Sequence, residues 1–130
     1  MKDVILVTRS VLEEVHGRVF YQRAPKGTDP GPEPYIVFHV LNSGQFYARE
    51  DFTVTVEVWA AETVDSGPVL GEVLELMEQV DQRLNRLSVV LDNIGITYRR
   101  ENQTPVPDPD PNVCRYDLTY SARVYQVKEG

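Results

Sequence analysis

The chain has 130 residues, enough for one domain with one substantial core. Hydrophobic residues make up 42% and charged residues 25%, an ordinary globular balance, and no apolar run approaches the roughly 20 residues of a membrane-spanning helix. The net charge of −7 argues against an electrostatic grip on duplex DNA, and the single cysteine, Cys114, allows neither an intramolecular disulfide nor a thiolate cluster.

The first residues, MKDVILVTRSVLEEV, are too briefly apolar and too soon acidic for a signal peptide, so a cytosolic start is expected. Residues 3–16 predict a helix. Asp3 is its expected cap, and Val4, Leu6 or Val7, Val11, Leu12 and Val15 recur at three- and four-residue spacing as an inward stripe. Gly17 stops the helix after His16, and RVFYQ at 18–22 follows as a short strand. Residues 23–34 hold four prolines and two glycines and therefore read as a loop. That loop is long for a connection in a small domain, which points to a partner for it.

PYIVFHVL at 34–41 opens a strand over about 35–42, ended by the turn signal Asn42-Ser43-Gly44. A further strand runs over 49–61, and the two form an antiparallel hairpin. Phe52, Val54, Val56 and Val58 take one face of the second strand, with Thr53, Thr55, Glu57 and Trp59 on the other.

A second helix is predicted from about 67 to 86, with Asp65 or Ser66 as cap and Pro68 in its first turn. Val69, Leu70, Val73, Leu74, Met77, Val80, Leu84 and Leu87 form its apolar stripe; Glu72, Glu75, Glu78 and Asp81 lie largely off it. Residues 89–101 read as a broken or hairpin strand, weakened at Asp92-Asn93 and Gly95. Residues 102–112, NQTPVPDPDPN, are expected to stay irregular. Residues 113–127 alternate again, with Cys114, Tyr116, Leu118, Tyr120, Ala122 and Val124 on one face, so a long central strand is expected.

The elements add up to one α+β domain over 1–130: a mostly antiparallel β-sheet of about four to five strands with two α-helices packed on one face. The segments 23–34 and 102–112 are expected to be mobile in the monomer and to order on docking.

No residue pattern places catalysis. His16 ends a helix and His39 lies in an apolar strand, and neither has a nucleophile motif beside it. HExxH, CxxC and calcium-loop patterns are missing, and PDPDPN lacks the glycine turn and terminal glutamate of a calcium loop. SGPVLG at 66–71 has neither the lysine nor the glycine spacing of a phosphate loop. Catalytic, metal and cofactor residues are therefore none. What remains is contact surface. Tyr98, Arg99 and Arg100 form a basic-aromatic patch, with Tyr116, Tyr120 and Tyr125 as further aromatic surface, and Tyr and Arg are enriched in subunit contacts. The two proline-rich loops add Arg23, Lys26, Asp29, Val106, Asp108 and Asp110 as candidate contacts.

The order of elements also carries a resemblance. PYIVF after a proline-glycine loop, then an alternating strand ending in VEVWA, then the helix GPVLGEVLELMEQVDQRL are similar to the tail completion, tail terminator and tail-to-head joining proteins of long-tailed phages and prophages. Pro34-Tyr35 and Trp59 are its distinctive side chains, and the PVPDPDP tract matches no part of the pattern. The resemblance implies a non-enzymatic ring, commonly a hexamer. Such a ring caps the tail tube, stops its polymerisation and meets a head connector or adaptor protein. It implies location in the virion, and in the host cytoplasm during assembly, with no membrane partner. DNA would pass without specific binding, and the Glu72, Glu75, Glu78 and Asp81 face would line the channel and repel phosphates. Two alternatives stand beside this. One is another head–tail adaptor of the same architecture. The other is a small ligand-binding or enzymatic α+β domain with a pocket between sheet and helix, around Tyr35 and His39.

Overall fold

The structure is a computed structural model describing residues 1–25 and 31–126. Helix α1 spans Lys2–Val15, strand β1 Val19–Tyr21, β2 Tyr35–Phe46 and β3 Arg49–Ala61. Helix α2 spans Leu70–Leu84 and is followed by β4 Ser88–Leu91, β5 Ile94–Pro105 and β6 Val113–Gln126. The strands form one six-stranded sheet in the order β1-β2-β3-β6-β5-β4. All neighbours are antiparallel except β1 and β2.

The α+β class and the single face carrying both helices agree with the sequence, but there are six strands rather than four to five. One cause accounts for the extra strand. The chain reverses at Asp92, whose φ of 50° makes 88–105 a β4–β5 hairpin. Residues 102–105, expected to be irregular, continue β5 against the long β6. Pro105 costs this ladder nothing, because the Val106 N–H makes the next bond, to Arg115 O.

Strand alternation builds the core. Ile36 and Phe38 of β2, Phe52, Val54, Val56 and Val58 of β3, Ile96 and Tyr98 of β5, and Leu118, Tyr120 and Ala122 of β6 pack with Val4 and Leu12 of α1 and Val73, Met77, Val80 and Leu84 of α2. Thr8, also buried, shares a 2.9 Å hydrogen bond with Tyr98 OH and so satisfies two polar groups inside this layer.

Local details correct the reading of the helices. The cap residue of α1 is Met1 and that of α2 is Val69, and neither makes a side-chain cap bond. Ser66 instead closes a turn with Thr63, accepting from Thr63 N at 2.8 Å. Leu6, Leu70 and Leu74 are exposed, while Leu76 is buried; α2 is rotated about its axis so that 73, 76, 77, 80 and 84 face the sheet. Its end at Asn85 falls where the sequence places it.

Candidate functional site

The helix-free face of the sheet is where polar chemistry gathers. Because β-strand side chains alternate, the residues between the core positions must point to this face. They include Tyr35, Val37 and His39 of β2, Glu57 and Trp59 of β3, and Arg115 and Asp117 of β6. Glu57 is almost fully buried although no helix covers it. Three donors converge on its carboxylate: His39 Nε2 at 2.6 Å, Trp59 Nε1 at 2.9 Å and the Arg115 guanidinium at 3.2 Å. Arg115 also makes two bonds to Asp117, at 3.0 and 3.1 Å. This guanidinium lies 4.6 Å from the Trp59 ring centre, Trp59 stacks parallel on Tyr35 at 6.1 Å, and Arg18 covers Tyr35 at 5.5 Å. The result is a layered row, Arg18–Tyr35–Trp59–Arg115, held from beneath by one carboxylate.

Burial by itself would lower the Arg115 pKa. Its bonds to Asp117 and the negative charges of Glu57, Asp117 and Asp108 outweigh this and raise it. Burial raises the Tyr35 phenol. Burial, and then the Glu62 charge, raises the Cys114 thiol, which lies on the opposite face at the same end of the sheet.

The two proline-rich segments meet at this end. Ala61 N–H donates to Gly31 O at 2.9 Å, and the adjacent Glu62 N–H donates to Asn112 O at 2.8 Å. Residues 106–112 are held by their own aspartates: Asp108 Oδ1 accepts from Asp110 N, and Asp110 Oδ1 from Asn112 N, both at 2.9 Å. Of the loop residues expected to make contacts, Val106 and Asp108 are half-buried against the sheet and Asp110 is exposed. Arg23 lines a shallow groove with Arg9 and Phe20 beside β1. Lys26 and Asp29 lie outside the described residues.

The expected Tyr98-Arg99-Arg100 patch is split by strand alternation. Tyr98 and Tyr120 are core residues rather than surface aromatics. Burial pushes Tyr98 up to about 12, and burial together with the Asp81 carboxylate raises Tyr120. Arg100 points to the helices, where it pairs with Asp81 at 2.9 Å, and Tyr120 OH donates to the same carboxylate at 2.8 Å. Arg99 points to the helix-free face, into a cleft of about 520 Å³ that Arg86 and Arg123 also line. Glu72, Glu75 and Glu78 are exposed on α2, whereas Asp81 is half-buried in its bonds to Arg100 and Tyr120. Tyr35 and His39 face away from the helices, so the expected pocket between sheet and helix around them does not form.

Sequence reading missed the Glu57 cluster, since charge on an exposed strand face looks like solvated surface. The signal was Glu57 two residues before Trp59, with Arg115-x-Asp117 repeating that spacing on β6. Among the described residues, no group of three His, Cys, Asp or Glu side chains is placed to hold a metal ion, and no helix is long and apolar enough to cross a membrane.

The two-layer α+β fold has counterparts among solved structures. A chain of the virion of a native gene transfer agent particle superposes over 89% of this chain and 85% of its own length, with a TM-score of 0.64 and 16% identity. A second solved structure, whose name states no function, matches over 99% of both chains with a TM-score of 0.66 and 15% identity. No protein-family model matches the chain, and no curated protein matches it. At these identities the likeness establishes the fold.

Proposed function

We propose that this chain is a structural component of a phage-like particle that works at the tail end, terminating the tube and joining it to the head connector as a ring of copies, six in the expected form. The observation that carries this reading is the likeness, over 89% of this chain, to a virion chain of a gene transfer agent particle. It joins the resemblance of PYIVF, VEVWA and the following amphipathic helix to tail terminator and tail-joining proteins. The surface supports a contact role. A rigid row of Arg and aromatic side chains stands beside two proline-rich segments fixed to the same strand end, and such side chains are favoured at interface centres. In this reading the particle holds the chain in the virion, DNA passes without being gripped, and the chain's role is non-catalytic.

The experiment is deletion of the gene in its producing strain, followed by electron microscopy and composition analysis of the particles. Tails of irregular length and unjoined heads are the expected outcome, with the chain present in wild-type particles. Normal particles lacking the protein would overturn the proposal.

A further inference from the structure

The cleft between the α2–β4 connection and β5–β6 stands out in a chain of net charge −7. Arg86, Arg99, Arg100 and Arg123 line it together with Thr97 and Ser121, and no acidic residue does. Arg100 is engaged with Asp81. Among the described residues, no carboxylate forms an ion pair with Arg86, Arg99 or Arg123. Arg86 adopts a left-handed backbone, φ 67°, which a branched or bulky side chain enters only at a cost. It is held there by its N–H bond to Tyr98 O and by the return bond from Tyr98 N to Leu87 O, 2.9 and 2.8 Å. Arg86, Arg99 and Arg123 thus give the cleft positive charge that no ion pair takes up, although Asp51 stands across the ladder from Arg123.

The same chain carries a complementary surface at the other end of α2. Glu72 and Glu75 line a groove with His16 and Pro34, beside the C-terminus of α1 and the start of β2. Neither glutamate is ion-paired among the described residues. Ten residues of chain, most of them helix, lie between Glu75 and Arg86, roughly 15 Å along the helix axis. One molecule therefore cannot bring its own acidic groove to its own arginine cleft. In sheet order the two surfaces lie on different flanks, the groove beside the start of β2 and the cleft over β5–β6. Complementary patches on opposite flanks of one chain are what a head-to-tail ring contact needs.

We infer that the Arg86/Arg99/Arg123 cleft of one copy receives the Glu72/Glu75 groove of a second copy. The inference rests on the assembly reading above and assigns its subunit contact, moving these glutamates from channel lining to interface. Bidentate guanidinium–carboxylate pairing fixes the orientation of the two copies, and opposite charge steers their encounter.

The test is sedimentation of four variants: wild type, R99E/R123E, E72K/E75K, and the chain carrying all four changes. All four positions are exposed, so circular dichroism should show an unchanged fold. Wild type should associate, more weakly as salt rises from about 0.1 M to about 1 M and the Debye length falls from about 10 to about 3 Å. Each double variant alone should associate at least tenfold more weakly. Their equimolar mixture should recover, because alternating copies restore opposite charges at every contact, and so should the fourfold variant. Double variants that associate as well as wild type would overturn the inference. So would duplex DNA binding that R99E/R123E abolishes while association stays intact. A wild-type chain that stays monomeric at roughly millimolar concentration overturns this contact but not the assembly reading, which particle composition tests separately.

Discussion

Arg115 and Glu57 stand diagonally across the β3–β6 ladder, 3.2 Å apart, and the same guanidinium that binds this carboxylate also covers the Trp59 ring at 4.6 Å. One short distance thus ties the charged layer of the helix-free face to its aromatic layer. Removing the carboxylate strands three donors at once. Glu57→Ala should therefore lower unfolding free energy by about 2 kcal/mol, less than a fully buried pair because Arg115 and His39 retain some solvent. Glu57→Gln should cost less, since its amide oxygen still accepts one bond. Urea unfolding of both variants measures this, and equal losses would show that the neutral amide keeps none of the stabilisation and the charge carries it all.

The Tyr98 phenol, pushed up to about 12 by burial, makes stability pH-dependent at the alkaline end. Its unfolded value is near 10, so the native state holds the proton longer than the unfolded state. This contribution is complete below about pH 10 and is lost as the pH rises toward 12, on the order of 2 kcal/mol in all. Tyr98→Phe should flatten that part of the curve and cost about 1 kcal/mol at neutral pH through loss of the Thr8 bond. Chemical unfolding at several alkaline pH values, with tyrosinate absorbance as the second readout, checks both.

Leu118 is fully buried at the centre of the sheet, opposite Val56 and beneath the helices. Leu118→Ala should cost about 3 kcal/mol through lost transfer energy and the remaining cavity. The midpoint of urea unfolding should fall with little change in slope; a loss below about 1 kcal/mol would mean that the helix layer collapses onto the gap.

Replacing 107–111 by two glycines should leave the sheet intact, with a melting temperature within a few degrees of wild type. The deletion must spare 102–105, which are β5 rather than loop. The chain should still fold but fail to join heads to tails in a complementation assay. Normal joining would remove the loop from the contact surface.

The Cys114 thiol, raised by burial and by Glu62, should react slowly with alkylating reagents at neutral pH. Glu62→Gln should speed the reaction modestly, because the negative charge is the smaller of the two causes. Unchanged rates would leave burial as the whole explanation.

The readable elements were those whose hydrophobic period is long and uninterrupted. The alternation of Phe52, Val54, Val56 and Val58 placed β3, and 113–127 placed β6 at the centre, because a period of two has one structural meaning over that length. The buried face of α2 is not legible at Leu70, Leu74 and Leu76, because leucines lie on several sides of that helix and only contact with the sheet selects the buried ones. The strand character of 102–105 was hidden by composition, because proline is excluded from a ladder only where its missing N–H would have been used.

Sequence alone determined the class of fold, the two helices on one side, the two proline-rich segments and the acidic balance, since each follows from local period and residue chemistry. Tertiary structure decided which charges meet. Glu57, Arg115 and His39 lie far apart in sequence and touch only through the register of three strands. Arg99 and Arg100 are neighbours in sequence and both border the cleft, yet the pleat of β5 pairs Arg100 with Asp81 and leaves Arg99 on the helix-free face without an ion pair. Pairing across strands depends on sheet order and register, which no local pattern encodes.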